Sequence, residues 1–379
     1  MESLEKTNWS LVFLLLLAGL FAAAQFGKLT LTLGVLQQHY PDGGVFVPLL
    51  VSTIGFVGIA LGAVAGSVVA ALGLSRVLVL GLLTGGALSL LQTSLPSLPV
   101  FALLRVAEGV SHLAIVVATP TSMASIANDA DRPFVMGIWA AFFGISMAVL
   151  AVILPSLLAF GGLPLVLAFH GAGMIVMGVW LWRVLPRSDR SALPRVRVIE
   201  DHRVIYSHPR LLIPGASFVC YTMIYIALLG VLPLARDLPQ WSIAAFPIIS
   251  IFGTVLGGWV AKFVAPDQVV AAGFVATIFA TGLSFVLSDA IWPLFVLFLM
   301  MAFIPAGSFA AIPHFNYSQA DRARATGGLA QLGNVGTSFG TPLFALAQLW
   351  GGFGLMCVLA ALCCLLGLAM TRALAGRIK

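Results

Sequence analysis

The strongest constraint on this fold is a series of long apolar runs that carry almost no charge. A helix needs about 20 mostly apolar residues to cross a bilayer, and twelve such runs are separated here by proline, glycine or charged residues. Because lipid cannot satisfy an open backbone, each run is predicted to be a membrane-spanning helix. The predicted spans are 10–36, 45–72, 77–94, 99–125, 133–160, 163–184, 211–235, 241–264, 268–288, 291–313, 326–349 and 353–374.

The composition excludes a water-soluble enzyme. Only 8% of the 379 residues are charged and the mean hydropathy is +1.08, whereas soluble domains carry about 25% charged residues. The chain has no phosphate-binding G-x-x-x-x-G-K-[ST] loop and no metal-binding motif, so we predict no ATPase activity, no cofactor and no metal. The expected partners are lipid, a small molecule and a coupling ion, with no nucleic acid.

The lysines and arginines predict the orientation in the membrane. With a cytoplasmic N-terminus, all 19 lie on the cytoplasmic side except Lys28, Arg105 and Arg236, in agreement with the positive-inside rule. This topology accounts for the net charge of +6. We therefore expect a multi-pass protein of a bacterial inner membrane with both termini in the cytoplasm.

The one long polar stretch divides the chain into two halves. Residues 1–184 are predicted to form an N-terminal six-helix bundle, 185–210 a cytoplasmic linker, and 211–379 a C-terminal six-helix bundle. The linker is interpreted as a solvated connector. The predicted class is an all-α membrane protein of two repeated bundles.

An internal repeat supports this division. The segment 62–66 (GAVAG) is echoed by 253–257 (GTVLG), and 130–132 (ADR) is echoed by 320–322 (ADR), at nearly the same offset. Parallel repeats of six helices are typical of secondary transporters, which bind substrate between the halves near the midplane.

These features together resemble the major facilitator superfamily over essentially the whole chain. The segment 104–109 (LRVAEG) resembles the R-x-x-x-G pattern of its fourth helix. After helix 2, Gly66 and Gly73 fit the superfamily signature and Arg76 supplies its late positive charge. Alanines at 70–71 replace the usual aspartate and arginine, so the usual charged gating contact is not expected here.

Two shorter stretches resemble one branch of that superfamily. The segments 132–139 (RPFVMGIW) and 28–34 (KLTLTLG) are similar to the cyanate-permease and nitroimidazole-transporter branch. The resemblance implies the major facilitator fold, secondary transport by alternating access, a monomer, and a central cavity lined by helices 1, 4, 7 and 10. The predicted gating residues are Gly66, Gly73, Arg76, Asp131, Arg132, Asp321 and Arg322.

Ionisable residues inside the spans are the first candidates for function, because charge in a bilayer costs about 2.5–3.5 kcal/mol. Arg105, Glu108 and His112 share one face of helix 4, and Lys28 lies at a similar depth in helix 1. The resemblance implies that Lys28 and Arg105 face each other, whereas His170 in helix 6 is expected to be peripheral.

The charges of these residues suggest a role. Two cations and one carboxylate leave a net charge of about +1. We hypothesise that Lys28 and Arg105 bind a small anion, and that Glu108 or His112 carries a coupled proton. The alternative is an internal ion-pair network that only ties helix 1 to helix 4.

Neutral polar residues complete a plausible substrate cavity. They are Gln25, Tyr221, Tyr225, Gln331 and Asn334.

The sequence favours proton-coupled uptake of a small anion. The alternative is efflux of small hydrophobic or drug-like compounds, against which the missing Gly-Pro pattern of helix 5 argues. A membrane enzyme for lipid substrates and a membrane sensor are the remaining classes, and the short loops argue against the former.

Overall fold

The computed structural model describes residues 6–128, 131, 135, 138–139, 141–186, 198–317 and 319–378, which contain helices and turns but no strand. The helices are α1 (Trp9–Thr30), α2 (Leu33–His39), α3 (Phe46–Ser52), α4 (Gly55–Leu72), α5 (Leu74–Gln92), α6 (Leu98–Ser125), α7 (Phe142–Val184), α8 (Val198–Ser207), α9 (Pro209–Ala235), α10 (Gln240–Val260), α11 (Pro266–Val286), α12 (Trp292–Met301), α13 (Phe303–Phe315) and α14 (Gln319–Ile378), with a 3₁₀ turn at Pro41–Gly43.

Two of these helices are too long for one membrane crossing. The 43 residues of α7 would extend roughly 65 Å at 1.5 Å per residue, about twice the hydrocarbon thickness of a bilayer. The helical backbone conformation is interrupted in α7 at Gly162, whose φ is +64°, and in α14 at Gly352, whose φ is +59°. Glycine adopts this left-handed conformation without the steric penalty of a side chain.

Contacts show that both long helices fold back at these glycines. Ser146, before the break in α7, donates to the Leu20 carbonyl at 2.8 Å. His170, after the break, lies 3.1 Å from the Phe21 carbonyl. Residues 24 positions apart on a straight helix would be roughly 36 Å apart, so α7 is a hairpin.

The same reasoning applies to α14. Gly340, before the break, packs against the Met223 carbonyl, and Cys363 Sγ, after the break, lies 3.6 Å from Met223 Sδ. Ten apolar helices among the described residues are long enough to cross a membrane. Because two of them turn back, the described residues make twelve passes, and the predicted all-α membrane fold is confirmed.

The structure differs from the sequence prediction in two local features. Helix α1 ends at Thr30, not at residue 36 as predicted. Near this end the hydroxyls of Thr30 and Thr32 donate to the Phe26 and Lys28 carbonyls. These side-chain bonds compete with the backbone hydrogen bonds of the helix. The region predicted to be a solvated connector contains α8, whose Ile205 is buried.

The two halves pack differently at the two ends of the molecule. We call the end that carries α8 the linker side. A single apolar core away from that side joins residues of both halves, including Leu29 and Met147 from the first and Ile224 and Leu228 from the second. Nearer the linker side, each half has separate apolar clusters of its own.

Helix α4 meets α14 along a seam between the halves. A glycine stripe at Gly55, Gly58 and Gly62 contacts Ser338, Asn334 and Gln331 in turn. Small residues of this kind let two membrane helices approach closely. Gly253 is the counterpart of Gly62 in the internal repeat, but the two glycines make different contacts. Gly62 packs against Gln331 of the other half, whereas Gly253 packs against Leu299 of its own half.

Candidate functional site

A charged cluster lies inside the first half, where α1, α5, α6 and α7 meet. The carboxylate of Glu108 accepts from Lys28 Nζ at 2.8 Å through Oε1 and from Arg105 Nη1 at 2.5 Å through Oε2. All three side chains are fully buried. The structure therefore brings these three predicted residues together around one carboxylate.

Every N–H of the Lys28 ammonium has an acceptor. Besides Glu108, Nζ lies 2.8 Å from Ser89 Oγ and 3.3 Å from His170 Nδ1. His170 Nε2 faces the Phe21 carbonyl, and a carbonyl can only accept. In the neutral imidazole Nε2 therefore carries the hydrogen, and Nδ1 is free to accept from Lys28.

The guanidinium of Arg105 is less completely paired. Its Nε donates to the Leu50 carbonyl at 2.9 Å and Nη1 to Glu108, but Nη2 has no hydrogen-bond partner among the residues that the structure describes. Gln92 adds a third donor to Glu108, at 2.8 Å. The carboxylate is thus saturated with donors, while the cluster keeps a net charge of +1 and one unused donor nitrogen.

The remaining predicted residues of the first half lie near the cluster without joining it. Gln25 Nε2 donates to Ser111 Oγ at 3.1 Å. His112 Nδ1 lies 3.0 Å from the Ala22 carbonyl, and its ring meets the Phe26 ring edge-on with 5.0 Å between centroids. Seven residues separate Arg105 from His112, so the shared helix face puts them two turns apart.

The predicted tyrosines lie in the second half. The rings of Tyr221 and Tyr225 stack on α9 with centroids 5.3 Å apart, and Tyr225 also meets Phe298. Both belong to the apolar core that the halves share. The hydrogen-bond partners described above for Lys28, Arg105 and Glu108 all come from the first half, so no hydrogen bond among the described residues links the tyrosines to the charges.

Gln331 occupies a junction on the linker side that we call the linker latch. Its Nε2 donates to the Ile59 carbonyl of α4 and lies 2.5 Å from His202 Nε2, and its Oε1 accepts from Tyr206 at 3.2 Å. His202 Nδ1 faces the Val198 carbonyl at 2.6 Å, so Nε2 is the accepting nitrogen. Burial raises the pKa of the Tyr206 hydroxyl, which favours its donor form.

The latch yields a direct prediction. Replacement of Gln331 by alanine removes contacts to both the first half and α8, so amide hydrogen exchange within 198–207 and 55–65 should accelerate. Thr326→Ala is the control on the same helix, because Thr326 is exposed and its hydroxyl donates to the Arg322 carbonyl of α14. Exchange mass spectrometry makes the comparison, and equal protection in the two variants would contradict the latch.

Three predicted gating residues lie on either side of, or at, the junction between α4 and α5. Gly66 is within α4, and Gly73 links α4 to α5 with φ of +93°. Arg76 is exposed on the first turn of α5.

The paired ADR segments make local contacts. Asp131 accepts from Thr7 at 2.6 Å, while Arg132 lies outside the described residues. In the second segment, Asp321 pairs with Arg324 at 3.3 Å and Arg322 Nε donates to the Asn316 carbonyl at 2.9 Å.

Sequence reasoning missed several partners of the cluster. Ser89 and Gln92 are three residues apart on one face of α5, and that spacing of polar residues in an apolar helix was an available signal. The family resemblance places His170 on a peripheral helix, and nothing in the sequence shows that its ring lies 3.3 Å from the Lys28 ammonium. The roles of His202 and Tyr206 depend on how α8 docks, which hydropathy does not report.

Comparison with known proteins identifies the family and supports the fold. The family model described as Major Facilitator Superfamily matches residues 15–341. No curated protein sequence matches the chain. Among solved structures, a bacterial homologue of the human lysosomal transporter Spinster, in an inward-facing and occupied conformation, is similar with a TM-score of 0.71 and 14% identity, covering 98% of this chain and 95% of that one. At this identity the likeness establishes the fold.

Proposed function

This chain belongs to the major facilitator superfamily, and on that premise we propose that it is a secondary active transporter that moves a small anion together with a proton by alternating access. The membrane is proposed to be a bacterial inner membrane, with the linker side and both termini in the cytoplasm. The protein is proposed to act as a monomer.

The observation that carries the proposal is the excess positive charge of the buried cluster. An uncompensated charge in a low-dielectric interior is costly, and the cost falls when a partner of opposite charge is bound. Arg105 Nη2 offers a donor that no described residue uses. Charge-assisted hydrogen bonds from a guanidinium suit carboxylates and similar planar anions.

Glu108 is the proposed proton carrier because it shares both cations with the substrate. Lys28 and Arg105 now stabilise its carboxylate. An anion that takes up part of the Arg105 guanidinium weakens this stabilisation and makes protonation of Glu108 easier. Binding of the anion and of the proton is then mutually favourable, as thermodynamic linkage requires. His112, whose Nδ1 faces the Ala22 carbonyl, is proposed to line the wall of the pathway.

The packing between the halves supports alternating access. On the side away from the linker the halves share an apolar core, whereas near the linker side they are joined by the α4–α14 seam and the linker latch. Opening towards the linker side is proposed to release Gln331 and to separate the halves around the shared core. Gln25, Tyr221, Tyr225 and Asn334 are proposed to line the pathway that this motion exposes.

Proton coupling predicts a distinctive variant. Lys28→Met/Glu108→Gln keeps the net charge of +1 and the free Arg105 nitrogen but removes the proton carrier. In proteoliposomes the parent should accumulate anion when the outside is acidified, whereas the double variant should exchange anion without accumulation. Arg236→Gln, which leaves the charged cluster intact, is the control and should accumulate anion like the parent. Accumulation by the double variant equal to that of the parent would contradict the role of Glu108.

Efflux of small hydrophobic compounds is the second candidate, because stacked Tyr221 and Tyr225 in the shared core offer an aromatic surface. Protection of cells against such compounds, with no anion flux in proteoliposomes, would put that function first.

A further inference from the structure

A cavity of about 530 Å³ opens on the linker side of the second half, away from the charged cluster. It lies where α9 begins, α13 ends and α14 both begins and ends. We propose that this cavity binds the head group of an anionic phospholipid. The proposal concerns a separate site and does not depend on which solute the protein transports.

The first argument is the charge of the walls. Arg210 and Arg377 line the cavity, and neither forms an ion pair within the described part of the chain, where the recorded pairs are those of Glu108 and Asp321. Asp321, the acidic residue among the lining side chains, is engaged by Arg324. Two arginines without a carboxylate partner form a phosphate-binding surface.

The second argument is the amphipathic character of the cavity. Leu211, Phe315 and Ile378 contribute apolar surface beside the arginines, and Tyr317 contributes a largely exposed phenol. Because the walls are the ends of membrane-spanning helices, the cavity lies at the depth of the lipid head groups. Basic pockets between helix ends at this level suit anionic lipids, with the phosphate on the arginines and the glycerol and first methylenes on the apolar wall.

The third argument is that the floor is ordered by buried polar contacts. The side chain of Asn316 is almost fully buried, and its Nδ2 donates to the Arg210 and Ile312 carbonyls at 3.1 and 3.0 Å. Arg322 donates to the Asn316 carbonyl. These bonds hold the start of α9 against the end of α13, so the wall bearing Arg210 is held in place without a ligand.

Lipid titration followed by native mass spectrometry tests the site. The full-length protein in detergent is titrated with phosphatidylglycerol or with phosphatidylcholine of the same chains. The parent should retain phosphatidylglycerol more tightly than phosphatidylcholine. In the double variant Arg210→Gln/Arg377→Gln this preference should fall by roughly tenfold or more, since each basic residue near an anionic lipid surface adds to the attraction. The single variants, which disturb folding least, should each lose part of it.

Arg183→Gln is the matched control, since Arg183 is exposed at the linker-side end of α7 in the other half of the chain and does not line the cavity. It should bind phosphatidylglycerol like the parent. Undiminished phosphatidylglycerol binding in the double variant would overturn the proposal. Equal displacement of the lipid by the same concentration of glycerol phosphate would also overturn it, because the ligand would then be a soluble phosphate.

Discussion

Replacement of Glu108 by glutamine is expected to lower the free energy of unfolding by about 3–5 kcal/mol, the loss seen when one partner of a buried ion pair is removed. The variant keeps the shape of the side chain but leaves Lys28 and Arg105 facing each other at full burial without a counter-charge. Thermal unfolding in detergent, followed by tryptophan fluorescence, measures the loss.

A double-mutant cycle separates the charge effect from loss of packing. Lys28→Met retains the neutral Arg105–Glu108 pair and should destabilise the protein much less than Glu108→Gln. Lys28→Met/Glu108→Gln restores the parental net charge and should recover part of the stability lost in Glu108→Gln. Additive effects of the two substitutions would mean that the cluster is not an electrostatic unit.

Replacement of Arg105 by glutamine should weaken anion binding strongly in a protein that still folds. The remaining Lys28–Glu108 pair is neutral, so no uncompensated charge is left. A hydrogen bond to a charged group contributes about 1.5–3 kcal/mol, which corresponds to a loss of affinity of roughly tenfold to a hundredfold.

The measurement is thermal stabilisation by cyanate, short carboxylates and nitro compounds, since a ligand of the folded state raises stability in proportion to RT ln(1 + [L]/Kd). Arg236→Gln is the control, because Arg236 lies outside the cluster and contacts the Ala290 carbonyl and the Phe353 ring. Equal anion-dependent shifts in the parent and Arg105→Gln would remove Arg105 from the site.

The membrane fold could be predicted because it is determined by features of short stretches of sequence. Apolar runs long enough to cross a bilayer, and glycines at the breaks near 162 and 352, are properties of short segments. The end of α1 at Thr30 could not be predicted, because the bonds from Thr30 and Thr32 to preceding carbonyls compete with a helix that hydropathy alone would continue.

The charged cluster could be predicted only in part. Charge inside an apolar span is conspicuous, and a spacing of three residues puts Arg105 and Glu108 on one face of α6. The spacing of Ser89 and Gln92 indicates a polar face on α5, but it does not show what that face meets. His170 carries no comparable signal, because its approach to Lys28 depends on how α7 packs. The same limit applies to Gln331, whose contacts with Ile59 and His202 join segments far apart in the chain.

Downhill uptake by proteoliposomes tests the central proposal most directly. The labelled anion that most stabilises the parent protein is supplied outside vesicles containing the parent, Arg105→Gln or no protein. We predict saturable uptake by the parent that exceeds the protein-free vesicles at least tenfold, and uptake by Arg105→Gln close to the protein-free level. Equal uptake by the parent and Arg105→Gln, or no uptake above the protein-free level, would contradict anion transport through the charged cluster.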